Sequence, residues 1–564
     1  MACHLVVTYI CSVAPSGPSE LFDTKVEVHD RKQFQLKLEY QPNGTDPKSE
    51  YLVETLLFIP RSLNIDAETW SRDQFYADIH NYVRLKTPVL AFDEILTGSH
   101  SPLVQLEQRL PLGLMGPVSE VVYDAKMLAC VTRGALRRFS RGMRRECAHL
   151  LSGAGTDNCA PPASPAHLMA LAHKSISATQ EILQRFRSTS AQLGEKYDLG
   201  EKALAALRLV DEYLSLAVEQ FFRRIVVQME SMPRSGVYVE LRRELMDVVI
   251  ADESYRRAKK LPSVLDARGD NEEYSHRIGF LKKFCMNILF LKVQRSSKRK
   301  AWEEVLFAIA AGGSMAFALG VGLFAQSRYP QASFNFFMLA VVGYMFKDRL
   351  KEALRRSLAS YMGKFLYERT TLIVDPVTHD NVGVCREKLD YGDAVEVPPE
   401  IASLRAQDDL VTVSQTELSE MVIRYRKRIA LDSEMLPRIA DGLVSGVTDI
   451  IRLNIDRLLH DMDDPEYALD YVDLDDFSVG KLQMAKSYRV DVGFRFAVDD
   501  GRHQRTTVRL VRLVLDRNGI KRMTDLVPET VVTESAPTWV KVPPPRPAAV
   551  KQPAVTPVTQ QVTD

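Results

Sequence analysis

The sequence predicts a multidomain α+β membrane protein, and three observations lead to that fold class. Two apolar segments lie close together near the middle of the 564-residue chain, alternating apolar and polar residues mark strands near both ends, and helical spacing dominates the stretch before the first apolar segment. The predicted organisation is an N-terminal strand-rich α+β module (1–117), a helical region (118–301), a two-helix transmembrane hairpin (302–347), a basic amphipathic helix (348–368), a C-terminal α+β domain with an antiparallel β meander (369–532) and a disordered Pro-rich tail (533–564).

Composition narrows the class of protein. Apolar residues make up 46% and charged residues 26% of the chain, as in a globular protein rather than a transporter with many spans. Lys plus Arg equals Asp plus Glu at 73 each, so no nucleic-acid partner is expected. The 7 cysteines form no C-x-x-C pair, which favours a reducing compartment.

The hairpin rests on Val305–Ala325 and Ala332–Phe346, two segments without a charged residue. The first is long enough for a spanning helix, which needs about 20 apolar residues, whereas the second is shorter and would need local bilayer thinning. A buried helical hairpin in a soluble domain is the alternative. We favour the membrane because Val305–Ala325 offers no polar face.

Basic residues on both flanks predict the orientation of the hairpin. Positive charges are retained on the cytoplasmic side, so both termini and both large soluble parts are expected there, at the plasma membrane if the organism is a bacterium. Aromatic residues near the ends of both segments suit the membrane interfaces. The residues are Lys298, Arg299, Lys300, Trp302, Tyr329, Tyr344, Lys347, Arg349 and Lys351.

Small residues recur every four positions in the first segment, at Ala308, Gly312, Ala316 and Gly320. This spacing allows close helix packing, either against the second segment of the same chain or against another copy.

The soluble parts are predicted from periodicity. Alternation indicates strands at Thr24–His29 and Gln33–Tyr40, and a helix is expected from about residue 66 through Tyr82. An antiparallel helix pair is expected over 164–187 and 199–232, followed by a helix over about 272–300 that enters the first span. After the membrane, helices are expected over 415–430 and 443–461, and a three-strand meander begins at Tyr488.

For every candidate motif for catalysis, metal binding or cofactor binding, a structural role is the better explanation. No cofactor is expected. The acidic stretch 461–476 lacks the glycine that a calcium loop requires, so a solvated loop is the better interpretation. Cys147, His149 and Cys159 supply too few closely spaced ligands for zinc.

An arginine run is the most distinctive charged feature. It is expected to form a basic amphipathic helix that either contacts anionic lipid or is a solvated, acid-paired face. The run consists of Arg133, Arg137, Arg138, Arg141, Arg144 and Arg145.

The leading functional hypothesis is a membrane-anchored scaffold or protein-interaction module, whose partners are the lipid bilayer and either another protein or a second copy of the chain. A membrane-bound enzyme with an unmarked cytosolic active site is one alternative, and an oligomeric channel or sensor is another. The Pro-rich sequence at Val542–Pro547 is a candidate ligand for an aromatic groove, but a solvated tail is the favoured interpretation.

Overall fold

The computed structural model shows a multidomain α+β protein with three sheets and many helices. It describes residues 22–41, 48–112, 118–152, 165–233, 236–266, 268–295, 298–330, 333–365, 367–376, 379–392, 397–406, 420–436, 442–444, 446–472, 478–499 and 504–533. The predicted Pro-rich tail lies outside these residues, apart from Thr533.

The strands are β1 (Phe22–Asp30), β2 (Gln33–Tyr40), β3 (Lys48–Pro60), β4 (Ile79–Leu85), β5 (Lys292–Arg295), β6 (Arg369–Val374), β7 (Asn381–Tyr391), β8 (Glu420–Asp432), β9 (Val447–Asn454), β10 (Glu466–Val472), β11 (Val479–Ala485), β12 (Tyr488–Asp499), β13 (Gln504–Asp516) and β14 (Gly519–Thr533).

The helices are α1 (Arg72–Asp78), α2 (Phe92–Thr97), α3 (Pro102–Leu112), α4 (Val118–Ser152), α5 (Pro165–Lys196), α6 (Gly200–Gln228), α7 (Val237–Ala258), α8 (Glu272–Met286), α9 (Lys298–Arg328), α10 (Phe334–Phe365), α11 (Pro399–Arg405) and α12 (Asp456–His460).

Strands from both ends of the chain share two sheets. An eight-stranded sheet has the order β14-β13-β12-β3-β8-β7-β6-β5, and a four-stranded sheet has the order β1-β2-β9-β4. The N-terminal β3 therefore pairs on one side with β8 and on the other with β12. Alternate residues of both sheets contribute to one apolar core, as expected for two sheets packed face to face. The boundaries predicted at 117 and 369 thus do not separate two independent sheets.

Helices α2 to α8 form a second apolar core built mainly around α4 and α6. Phe139 of α4 and Phe222 of α6 pack with ring centroids 5.5 Å apart. Helices α5 and α6 occupy the positions of the helix pair predicted from apolar spacing, but α5 continues to Lys196, beyond the predicted end at 187. Buried Met127 and Cys130 of α4 join the sheet core, so the helical region packs directly against the sheets.

The α9–α10 pair leaves the eight-stranded sheet from β5 and returns to it at β6, the strand beside β5. The two helices pack antiparallel: Val321 lies against Gly343, and the guanidinium of Arg355 lies 4.3 Å from the ring centroid of Phe307. A Cβ on Gly343 would stand 2.7 Å from Val321 Cγ1, so glycine permits this close approach. Helix α10 is continuous across the predicted boundary at 347, because no Gly or Pro interrupts it there.

One helix among the described residues, α9 over Glu304–Arg328, is long and apolar enough to cross a membrane. Only 11% of its most apolar stretch is buried inside the protein, in contrast to a core helix of a soluble domain. Helix α10 is not a second such candidate, since its apolar half is followed directly by Lys347, Arg349 and Lys351.

Several helices predicted from sequence are wrong. Residues 420–432 form β8 and residues 447–454 form β9, because tertiary pairing with β3 and β2 outweighs the short helical spacing. The helix predicted through Tyr82 ends at Asp78, and β4 follows it directly. The helix predicted over 272–300 ends at Met286, and β5 intervenes before α9. By contrast, β12, β13 and β14 form the predicted meander.

Candidate functional site

A group of cations lies where α4 crosses the end of β4. A Cβ on Gly134 of α4 would stand 2.7 Å from the carbonyl oxygen of Pro88, just after β4. On another side α4 packs against α8, where Cys130 Sγ lies 3.6 Å from the carbonyl oxygen of Cys285. The crossing therefore brings β4, α4 and α8 together at one place.

The four-stranded sheet contributes a row of three polar residues to this place. Glu39 of β2, Thr448 of β9 and Arg84 of β4 are directly paired, so their side chains share one face of the sheet. Their neighbours Leu38, Val447 and Leu85 belong to the core. The row therefore lies on the opposite face from the sheet core.

Two donors in this row lack hydrogen-bond partners in the described part of the chain. Thr448 is completely buried, and its Oγ1 makes no hydrogen bond. The buried Nε of Arg84 is also without an acceptor. A buried polar atom without a partner costs about 1–3 kcal/mol, so each such group is informative.

Helices α4 and α8 add further cations, and we call Arg84, Arg133, Arg137 and Lys282 the cationic cluster. Partial burial lowers the pKa of Arg137, and the charges of Arg133 and Arg141 lower it further. Lys282 also has a lowered pKa, first from partial burial and then from the charges of Arg133 and Arg84. Like charges from three elements therefore repel one another here.

Glu39 is the carboxylate that acts on this group, and it is already shared. Burial opposes its charge, yet hydrogen bonding and attraction to Lys37 keep the pKa of Glu39 below its usual value. Lys86 Nζ lies 3.8 Å from the other oxygen of the same carboxylate. One carboxylate thus offsets several cations, and the charge around Arg84 stays positive.

The structure divides the predicted arginine run among different surroundings. Arg133 and Arg137 join the cationic cluster, and Arg133 Nη1 also donates to Tyr213 Oη at 3.1 Å. Arg138 Nη2 donates to the carbonyl of Val89 at 3.2 Å. The remaining members Arg141, Arg144 and Arg145 continue along the exposed side of α4. At about 100° per residue the six side chains fall within an arc of about 140° and share one broad face of α4. Arg133, at one edge of this face, is half-buried. Contact of the run with anionic lipid stays a prediction.

The small residues of α9 face away from α10. Ala308, Gly312, Ala316 and Gly320 are exposed, and a Cβ on either glycine would meet no atom within 4 Å. Packing of this stripe against the second helix is therefore not observed. The residues of α9 that are buried in the hairpin are Ala310, Ser314 and Ala325.

The topology residues lie at the ends of the hairpin. Lys298, Arg299, Lys300 and Trp302 belong to the first turns of α9, but their side chains lie outside the described part. Tyr329 is half-buried at the tip. Lys347 Nζ lies 4.0 Å from the ring centroid of the exposed Tyr344. Arg349 and Lys351 follow on exposed positions of α10.

Two carboxylates of the predicted acidic loop have basic partners. Asp463 accepts from Lys486 and Tyr488, and Asp464 accepts from Arg517 at 3.0 Å. No group of three or more His, Cys, Asp or Glu side chains suited to a metal occurs among the described residues. Cys147 lies buried on α4, whereas Cys159 falls outside the described part.

Comparisons with protein-family models, curated proteins and solved structures return no match to this chain. The site is therefore interpreted from its own geometry. Sequence inspection singled out Arg133 and Arg137 but missed Arg84, Lys282 and Thr448. These three residues come from separate segments, and no local pattern connects them.

Proposed function

We propose that the α9–α10 hairpin anchors this protein in a membrane, where its cytosolic parts serve as a protein-interaction module. The observation that carries the anchoring proposal is the exposure of α9. Leu319, Leu323 and Phe324 are more than half exposed, although they lie within a long apolar helix. Exposed apolar surface of this extent is unfavourable in water and suits a lipid environment.

Strand pairing supports an even number of membrane crossings. Arg295 of β5 pairs with Thr371 of β6, so the chain enters and leaves the hairpin at the same place on one sheet. Both ends must lie on the same side of the membrane, since a folded sheet cannot span it with polar edges. A crossing by α9 therefore requires a return by α10.

The apolar part of α10 is short for that return. Residues 334–346 would cover about 20 Å as a helix, less than the hydrocarbon core of about 30 Å. Local thinning accommodates such a mismatch at a modest cost. Stopping inside the bilayer would leave Arg328 of the tip in hydrocarbon, which is less favourable than reaching the far interface. We therefore favour a complete crossing.

The β10–β11 hairpin supports the interaction part of the proposal. Its register places Tyr467 opposite Met484 and Leu469 opposite Leu482, all on one face with Tyr471. All five are exposed, and a two-stranded hairpin is marginally stable without a covering partner. The opposite face carries polar residues such as Asp470 and Lys481.

The anchoring proposal is tested with charges on α9. A Leu319→Glu, Leu323→Glu double variant should move the full-length chain from the membrane pellet to the supernatant after ultracentrifugation without detergent. The matched control places glutamates at Val239 and Ile250, which are exposed on α7. If the unsubstituted chain is already soluble, the anchor is rejected.

The number of crossings is tested at the tip. A single cysteine at Ser327 should react with a membrane-impermeant thiol reagent from outside intact cells, whereas one at Ser177 on exposed α5 should not. Protection of Ser327→Cys from the outside, with reaction after permeabilisation, would contradict a complete crossing.

The interaction surface is tested with a photoreactive residue on either face of the β10–β11 hairpin. Crosslinks to another protein chain in membranes are expected from position 469 and not from its neighbour 468, which points to the polar face. Equal yields from both positions would remove the apolar face as the binding surface.

A further inference from the structure

We propose that the cationic cluster of Arg84, Arg133, Arg137 and Lys282 binds a phosphate-bearing anion with at least two negative charges. This inference concerns a ligand that the membrane-anchored module recognises, and it does not require the hairpin to cross a membrane. It rests on three observations: the charge imbalance, the unpartnered donors and the access from solvent.

The charge imbalance is local and comes from separate elements. Arg84 belongs to β4, Arg133 and Arg137 belong to α4, and Lys282 belongs to α8. The charged face of a single solvated helix would involve only residues of that helix. Here three elements bring like charges together. Glu39 attracts Arg84 and Arg137 electrostatically, but its carboxylate already accepts a hydrogen bond from Lys37.

The unpartnered donors also favour an anionic ligand. Arg84 and Thr448 are directly paired across two strands, and neither Arg84 Nε nor Thr448 Oγ1 has a hydrogen-bond partner in the described residues. A phosphate group supplies several acceptor oxygens and pairs with guanidinium groups through two parallel hydrogen bonds. One bound oxyanion would supply the acceptor that Arg84 lacks.

Access to the cluster is open on one side. Arg137 and Lys282 are partly covered yet keep more than about a third of their surface open to solvent, whereas Arg84 and Arg133 are half-buried. Arg133 is held by Tyr213 Oη and lies 5.8 Å from the ring centroid of Phe221, so its position is fixed by α6. A ligand can therefore approach two exposed cations at the rim and reach the guanidinium groups of Arg84 and Arg133.

The position of the cluster allows the phosphate group to come from either of two kinds of ligand. Arg84 forms a backbone bridge with Phe290, eight residues before α9 begins at Lys298. Eight extended residues cover at most about 28 Å, so the cluster lies within that reach of the start of α9. The cluster has the charge to bind either the phosphomonoester headgroup of a lipid or a small soluble phosphate compound.

The test uses full-length protein in nanodiscs of phosphatidylcholine and two double variants of equal charge. Arg137→Gln with Lys282→Gln removes the rim of the cluster. Arg145→Gln with Lys283→Gln changes exposed residues of the same two helices that point elsewhere. All four positions are exposed, so folding is expected to be retained, and the thermal unfolding midpoint checks it.

Inorganic pyrophosphate is the soluble probe, and phosphatidic acid added to the nanodiscs is the lipid probe. We expect binding to weaken about tenfold for each cation removed from the rim and to stay unchanged in the control variant. Binding of pyrophosphate in plain nanodiscs assigns a soluble ligand. Binding that requires phosphatidic acid assigns a lipid headgroup.

Two results would overturn the proposal. One is that neither probe binds the unsubstituted protein at low ionic strength, where surface electrostatics are strongest. The other is that both double variants bind the probe equally, which would mean that general positive charge, rather than this cluster, attracts the anion.

Discussion

Buried and half-buried charges are handled in opposite ways in two regions of this molecule. Between the two sheets, Lys427 of β8 and Asp449 of β9 are fully buried, and Lys427 Nζ donates to Asp449 Oδ1 at 2.6 Å. Asn81 and Tyr425 extend this pair to Glu387 through further hydrogen bonds. In the cationic cluster, by contrast, like charges repel one another, and Glu39, which attracts Arg84 and Arg137, is already paired with Lys37.

The difference indicates what each region does. The buried ion pair connects β8 of one sheet to β9 of the other. Attraction to Asp449 raises the pKa of Lys427, although burial opposes the charge of this lysine. A group of cations without matching acids does not stabilise the fold by itself. The phosphate-bearing anion proposed above would neutralise the cluster, and the following predictions separate the two situations.

The largest effect is expected from Asp449→Asn. This change leaves the buried ammonium of Lys427 without its counter-charge, which typically costs about 3–5 kcal/mol of unfolding free energy. Asp390→Asn is the matched control, because Asp390 pairs with Arg426 of the same strand at 2.6 Å but is partly exposed. The control should lose about 0–1 kcal/mol. Chemical unfolding in detergent measures both, and equal losses would contradict the contrast.

A buried carboxylate of the helical region gives an intermediate case. Burial raises the pKa of Asp252 to about 6, despite a hydrogen bond from Ser215 and attraction from Arg187. The negative charge of Asp211 also raises the pKa of Asp252. Tyr255 Oη donates a hydrogen bond to Asp211. Because the folded-state pKa is raised, the native protein holds the proton more tightly, and stability from this group is lost as pH rises from about 4 to about 6.

Asp252→Asn should remove that pH dependence. The difference in unfolding free energy between the unsubstituted chain and the variant is expected to fall by about 2–3 kcal/mol between pH 4 and pH 7. Unfolding measured at a series of pH values in the same detergent tests this. A difference that stays constant, or that grows with pH, would show that Asp252 is charged at low pH in the folded protein.

The next effect concerns the crossing that assembles the cationic cluster. Gly134→Ala places a Cβ 2.7 Å from the Pro88 carbonyl oxygen, so α4 or the segment after β4 must shift. Such overpacking typically costs about 1–3 kcal/mol. Gly279→Ala on α8 is the control, since its Cβ would meet nothing within 4 Å and alanine favours a helix. Thermal unfolding should move in opposite directions for the two variants.

The smallest effect is expected from Arg137→Gln. Removing one cation from a group of like charges relieves repulsion, so the unfolding free energy should change by less than about 0.5 kcal/mol, toward greater stability. The same denaturation experiment, repeated with and without pyrophosphate, measures the change. A loss comparable to that of Asp449→Asn would mean that Arg137 supports the fold and that the contrast between the two regions is wrong.

Prediction from sequence worked where one face of an element decides its structure. The positions of α5 and α6 follow from apolar spacing, and the meander of β12 to β14 follows from strict alternation. It failed at β8, where Lys427 occupies a core-facing position among Ile423, Tyr425 and Ile429. A lysine in that position interrupts the apolar–polar alternation that predicts a strand. Its burial is compensated by the ion pair with Asp449, 22 residues further along the chain.

The cationic cluster shows the same limit for a site. The arginine run is visible in the sequence because its members are close together, yet only Arg133 and Arg137 of the run belong to the cluster. Arg84 and Lys282 are far from them along the chain and are brought beside them by the packing of β4 and α8 against α4. Spacing along a helix determines which arginines share a face, whereas the neighbours of that face are set by contacts between distant segments.

By itself the sequence determined the long apolar helix, the basic residues around it and the helical and strand character of the segments with clear periodicity. These are local properties, because the solvation of each residue and its neighbours one turn or one pleat away decide them. The tertiary structure alone decided that β3 lies between two C-terminal strands and that β4, α4 and α8 meet at one place. Those arrangements depend on pairing and packing between residues hundreds of positions apart, and no short-range pattern encodes them.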